Sequence, residues 1–306
     1  MLAADTLNSL KILGNQLDCG GPLLVQNSGI VRPGNSVVSK SIPGEVIHHE
    51  FRKPSATQTQ PRSWAPEWQR QRPWAPGKTP QIVSAALQKQ YQSQVDEVLQ
   101  AYPGSQVWDN QAEGMWFLIG SSVLPGLDKK AAFLSAVPYI IGQPVKSWAF
   151  WLTPLSVEWI GPRHTNFDDG SICAFEPSDR SWSQGGSLVE LFDIYTVWAL
   201  RHEHLRVLGK WPGHQFVPFP FERITEMGDD EYCGCDNSGA KYKDCCKPKD
   251  LKLNLSREFV QFWNNVCGQR LRKPPESIVQ FIRERKSLPD MKEFFIPFEM
   301  MTRLFA

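Results

Sequence analysis

Four of the chain's seven cysteines, Cys233, Cys235, Cys245 and Cys246, fall within fourteen residues. Thiolates at that density are soft ligands that can fill a tetrahedral metal shell. An odd total clustered in this way argues for metal binding rather than a secreted disulfide framework. Cys173 has a different setting: His164-Thr165-Asn166 precedes it by nine to seven residues, and Gly170-Ser171-Ile172 leads directly into it. A lone thiolate is nucleophilic enough to accept an acyl group and leaves well enough to release it. A nearby carboxamide can donate to the oxyanion of such a transfer. The competing role for Cys173 is that of a small buried hydrophobe.

The elements that must position these residues are readable from periodicity. From Pro80, Val83, Leu87, Tyr91, Val95, Val98 and Leu99 recur at helical spacing until Pro103-Gly104 stops them. Three strand-like runs follow, 114 to 123, 131 to 141 and 145 to 153, and Pro125-Gly126, Gly142 and Pro144 punctuate them. Such spacing predicts an antiparallel meander. After Cys173, Ser187-Leu188-Val189-Glu190 reads as a capping box opening a helix with Leu188, Leu191, Phe192, Tyr195, Trp198 and Ala199 on its apolar stripe. His202 and His204 lie on that helix, where they could lower a thiol pKa or deprotonate an amine, or simply pack. Asp168, Asp169 and Asp179 flank the cysteine and could orient an incoming lysine or merely favour turns. Two further amphipathic segments, 256 to 271 and 278 to 285, precede a tail carrying Phe294, Phe295, Ile296 and Phe298, expected to fold back onto the domain or to dock a partner.

The segment from Ile82 to His214 resembles the ubiquitin-conjugating (UBC-like) enzymes. Its likeness is greatest to the bacterial branch found beside ubiquitin-like conjugation systems and in CBASS antiphage operons. The residues that carry the resemblance are His164, Gly170-Ser171-Ile172-Cys173, Trp182, Trp198, Glu203 and Gly209-Lys210-Trp211-Pro212-Gly213, in that order. Thr165 stands where the eukaryotic signature has proline, and the His164 to Cys173 interval is one residue shorter. The resemblance implies that Cys173 carries a ubiquitin-like protein as a thioester. It also implies that Asn166 is the oxyanion donor or loop organiser, and that His164 is mainly structural. Separately, Cys233-Gly234-Cys235, the Asn237 to Lys243 turn and Cys245-Cys246 resemble the SEC-C motif, which implies a structural zinc (Zn2+) held by all four cysteines.

The expected fold class is therefore α+β: a UBC-like core of helix, four-stranded antiparallel meander, catalytic-cysteine loop and helices, followed by a small zinc module and short helices. The expected divisions are a flexible arm over 1–79 with Pro, Gln and two Trp-Ala-Pro copies, a conjugating domain over 80–222, the SEC-C module over 229–250 and a helical segment over 251–306. Expected partners are a ubiquitin-like protein as acyl donor, a separate activating enzyme, because no Gly-rich nucleotide motif is present, and a target protein. With 33 basic against 32 acidic residues the chain has no global field for nucleic acid or a membrane surface. No apolar run has transmembrane length and the N-terminus lacks signal-peptide order, so the expected compartment is the cytoplasm. The alternative function is a non-catalytic UBC-like scaffold that holds partners through the zinc module and tail; a Cys/His hydrolase is a third.

Overall fold

The computed structural model describes residues 2–34, 45–46, 83–110, 112–175, 181–235, 239–285 and 287–295. The Trp-Ala-Pro copies, Asp179 and the tail beyond Phe295 lie outside these residues. The architecture is mixed α+β, and its centre is a five-stranded antiparallel meander in sequential order: β4 (Gln106–Asn110), β5 (Gly114–Ser121), β6 (Lys130–Pro138), β7 (Lys146–Leu152) and β8 (Val157–Trp159). The three long runs expected from sequence are β5, β6 and β7. The count of four strands is exceeded because Gln106–Asn110, largely exposed and mixed in polarity, pairs along the free edge of β5.

The middle strands are apolar at nearly every position because both faces of the sheet are covered. Met115, Phe117, Ile119, Phe133, Val137, Ala149 and Trp151 face one core, and Trp116, Leu118, Leu134, Trp148 and Phe150 face a second. The first core is closed by the long helix α4 (Leu188–Leu208), the second by α8 (Glu276–Glu284) and the turn Met291–Phe294. Phe294 packs 4.7 Å from Trp148, ring to ring, so at this position the tail does fold back.

Helix α4 begins where Ser187 accepts a hydrogen bond from the Glu190 amide (3.3 Å) and ends at Gly209, whose φ of +68° suits a left-handed cap. Thirteen of its residues are buried, because it is covered on a second side by the chain's beginning. Over residues 4–33 that beginning is packed into the core, unlike the arm expected there; most of 35–79 lies outside the described residues. Helix α1 (Ala4–Asp18) buries Leu10, Leu13 and Leu17, and β1 (Leu23–Gln26) and β2 (Ile30–Pro33) bury Leu23, Val25 and Val31 in the same core. They belong to a three-stranded sheet of order β2-β1-β3, with β3 at Glu45–Val46. Sustained periodicity is hard to read there because α1 interleaves polar residues with a narrow leucine stripe. It meets α4 tightly at Gly14, where a Cβ would fall 2.1 Å from the His204 ring. The single helix expected from Pro80 is two, α2 (Ala85–Gln92, capped by Ser84) and α3 (Val95–Ala101), with Ser93-Gln94 as the joint. Tyr102, just past α3, donates to Asp193 of α4 (2.5 Å), a carboxyl that burial pushes up to about 7.

Beyond α4 come α5 (Pro220–Glu226), a 3-10 turn at Tyr242–Asp244, α6 (Lys247–Asp250) and α7 (Leu255–Asn265). Residues 4–33 and 276–294 complete the two faces of the meander, while the cysteines of the module have a small cluster of their own with Val217, Met227 and Tyr242.

Candidate functional site: a cysteine hairpin joined to a four-cysteine module

The stretch from His164 to Cys173 is a small hairpin between β8 and α4. Cys173 donates its amide to the His164 carbonyl (3.0 Å), Asn166 to the Ser171 carbonyl (2.7 Å), and Thr165 bridges Ile172. The hairpin is stitched to the meander by the Ile172 amide and the Ser147 carbonyl (2.7 Å). Cys173 itself is half-buried, with Tyr195 of α4 as a titratable neighbour. The Asn166 side chain is exposed, but its Nδ2 donates to Ser171 Oγ (2.9 Å) and the Ile172 carbonyl (3.4 Å). Of the two roles implied for Asn166, this geometry is that of a loop organiser.

His164 adopts φ of +50°, strained for a side-chain-bearing residue, and Trp198 Nε1 donates to its carbonyl (3.0 Å). Its ring hydrogen-bonds Gln215 (3.2 Å) and lies 4.3 Å from the Trp211 ring. Burial, reinforced by the Arg163 guanidinium, holds its pKa well below the ordinary imidazole range. His202, buried against Trp198 and Trp211, is pushed down to about 3 by burial, and His204 is lowered for the same reason while bonding the Lys210 carbonyl (2.7 Å). All three imidazoles are thus held neutral by packing.

Asp169 is part of the scaffold of the turn. It accepts from Ser171 Oγ (2.6 Å), the Ser171 amide (3.0 Å) and Lys146 Nζ (2.5 Å), and its carbonyl accepts from Trp148 Nε1 (2.9 Å). Asp168 stays exposed, its pKa raised by burial of the carboxyl's surroundings and by Asp169. At the tip, Gly170 takes φ of +63°, and a Cβ there would lie 2.6 Å from the backbone carbonyl carbon of Lys273.

The second cluster is built by a short β-bridge. Tyr232 pairs with Lys241, and the Cys233 amide donates to the Ala240 carbonyl (2.8 Å). The 3-10 turn at 242–244 then returns Cys245 and Cys246 to the same spot. The four sulfurs lie within 4.8 Å of one another, with Cys235 to Cys245 at 3.5 Å and Cys245 to Cys246 at 3.9 Å. A tetrahedral shell of thiolates around zinc sets sulfurs about 3.8 Å apart, so the residues present can hold a metal ion and are compatible with zinc. Burial and the crowded sulfurs push the Cys245 thiol up to about 11, and Cys246 is raised as well; a cation would offset this. Arg223 supports the cluster from behind, pairing with Asp250 (2.8 and 2.9 Å) and donating to the Val217 and Pro218 carbonyls (3.1 and 2.6 Å). Of the module's basic residues, Lys243 and Lys247 pair with Asp230 and Asp229, and Lys241 lies over the Tyr232 ring.

The two clusters are tied together by residues that motif reading passed over. Arg163, buried, pairs with buried Glu231 and donates to Gln215 (2.6 Å) and the Glu226 carbonyl (3.0 Å). Glu231 also accepts from the Trp211 amide (2.9 Å). One of these ions precedes His164 and the other lies two residues before Cys233. Arg272 adds a second tie: it donates to the Thr165 carbonyl (2.8 and 3.0 Å), pairs with Glu222 and Glu226 (2.9 and 3.2 Å), and lies over the Phe167 ring. No periodicity marks Arg163 or Glu231 in sequence: Arg163 follows a Gly-Pro turn and Glu231 ends an acidic run, Asp229-Asp230-Glu231.

No protein-family model, curated protein or solved structure matches this chain. Among the described residues no helix is long and apolar enough to cross a membrane.

Proposed function

We propose that this chain is a conjugating enzyme of the ubiquitin type, with Cys173 as the acyl-carrying nucleophile and a UBC-like core formed by the meander, the cysteine hairpin and α4. The observation that carries the reading is the placement of Cys173: half-exposed, at the foot of a hairpin pinned by its own backbone, between an antiparallel meander and a long capped helix. In the reaction the Cys173 thiolate attacks the thioester carbonyl of a ubiquitin-like protein held on an activating enzyme, whose own thiolate leaves. A target amine then attacks the new thioester, an amide forms, the Cys173 thiolate departs and the amine's proton passes to solvent. Asn166 and His164 act by holding the hairpin in shape. Cys233, Cys235, Cys245 and Cys246 hold a structural zinc, whose filled shell leaves no position for substrate. A bacterial conjugation or antiphage system is the setting this reading implies.

The test is intact-protein mass spectrometry of the chain with an activating enzyme and ubiquitin-like proteins from its genome neighbourhood. A thiol-labile adduct on the native chain, absent from Cys173→Ala and converted to a thiol-stable one in Cys173→Ser, supports the carrier. A folded chain that takes no adduct from any candidate pair sinks it. The second reading, a scaffold that binds partners without transfer, is favoured by one observation: the Asn166 amide and the neutral imidazoles are committed to packing and hydrogen bonds of the hairpin region.

A further inference from the structure

Among the described residues, twelve large apolar side chains are exposed, and half of them lie between 251 and 271: Leu251, Leu253, Leu255, Phe259, Val260 and Leu271. The other six are scattered from Ile12 to Phe216. Helix α7 runs through this stretch and buries none of its eleven residues. A helix of that length is marginal in water by itself. What holds it is one edge of an aromatic layer, with Phe262 packed 5.1 Å from Phe167, 5.6 Å from Phe219 and 5.2 Å from Phe221. The outer edge, where Phe259 stands 45% exposed, is open. Apolar exposure this concentrated marks an interaction surface more often than a solvated face.

Charge says what covers it. Lys249, Lys252, Arg257 and Lys273 are exposed along the same stretch and make no ion pair among the described residues, while Lys243 and Lys247 just before them are matched by Asp230 and Asp229. Of the two carboxylates between 249 and 273, Asp250 is buried against Arg223. That leaves Glu258 alone against five exposed cations, since Arg270 is exposed and makes no ion pair among the described residues either. We propose that the α7 face docks an acidic, amphipathic segment of a separate protein, with aliphatic and aromatic side chains on Leu255 and Phe259 and carboxylates on the surrounding lysines and Arg257. Five of the six exposed side chains are aliphatic, which suits a protein surface and offers nothing to a phosphate backbone. Because Phe167 belongs to the Cys173 hairpin, the docked segment sits beside that hairpin whether or not acyl transfer occurs there.

The test uses the full chain and a fluorescent 18-residue helical peptide with Leu and Phe on one face and Glu on the other. A matched peptide carrying Lys for Glu and a twenty-residue oligothymidylate serve as comparisons. Anisotropy should show micromolar binding of the acidic peptide, about tenfold or more weaker for Leu255→Ser/Phe259→Ser. It should be several-fold weaker for Lys252→Glu/Arg257→Glu or at raised salt. Leu155→Ser, an exposed change elsewhere, should leave it unchanged, and thermal melts verify that each variant folds. Equal binding of both peptides, or indifference to the α7 substitutions, overturns the proposal. So does displacement of the acidic peptide by the oligonucleotide, which assigns the face to nucleic acid. Concentration-dependent dimers in sedimentation velocity that Phe259→Ser abolishes also overturn it, and assign the face to a second copy of the chain.

Discussion

The hairpin at 164–173 and the module at 231–250 both present cysteine, and they differ in what surrounds the sulfur. In the module every nearby thiol converges on one point, and the supporting ions, Arg223 and Asp250, fix the backbone around it. In the hairpin one sulfur stands half-exposed while the polar groups around it, Asn166, Asp169 and Ser171, bond to one another. The lesson is that a cysteine's chemistry is set by where its neighbours' hydrogen bonds are directed. Converging sulfurs make a set that can hold a metal ion, and neighbours that satisfy each other fix the backbone around a single half-exposed sulfur.

That contrast breaks most severely at the module. Cys233→Ser removes the buried sulfur of the four, and where such a set holds structural zinc the metal supplies about 10–16 kcal/mol of apparent binding energy. Metal analysis should fall from about one equivalent per chain toward none, with a large drop in melting temperature, while Cys173→Ala keeps both. If the two substitutions behave alike, the four cysteines are not a metal site. Next in size is the tie between the regions. Glu231→Gln leaves Arg163 buried without its counter-ion, a loss of about 3–5 kcal/mol. Hydrogen exchange should rise in the hairpin as well as in the module; faster exchange in the module alone would show that the regions are independent.

A third test separates them by pH. His202 is held near a pKa of about 3 by burial, against 6.5 for the free side chain. A base whose folded pKa is depressed contributes stability that is complete above about 6.5 and lost as pH falls toward 3. Melting temperature should therefore decline below pH 6.5 in the native chain and decline less steeply in His202→Gln; equal slopes would place the acid sensitivity elsewhere. The smallest effect is at Asn166. Asn166→Ala removes two hydrogen bonds at an exposed position and should cost about 1 kcal/mol. It should slow any transfer of the acyl group from Cys173 to an amine only modestly, and a complete loss of that step with thioester formation intact would make Asn166 an oxyanion donor after all.

Much of this was legible in the sequence. The three central strands, the Ser187 cap, α4 and the four converging cysteines all carry local signals: alternating turns and apolar runs, a capping box, thiol spacing. The two ends of the chain were harder. Helix α1 shows only a thin leucine stripe, since one face of a short helix suffices to cover α4, and so Ala4 to Pro33 reads as an arm until its partner is seen. Arg163, Glu231 and Arg272 were invisible for a related reason. An ion pair between residues 68 apart leaves no periodic trace, and a charged residue in a polar loop looks solvated until burial shows otherwise.

Gly170 presses its α-carbon against the backbone of Lys273, a hundred residues further along the chain. A fragment ending at 222 would keep the whole meander and Cys173 yet leave that turn without its backstop and Thr165 without the Arg272 guanidinium. The hairpin is in this sense held in common by distant stretches of the chain. Exchanging the C-terminal segment for another would therefore also require a turn at 170 shaped to match it.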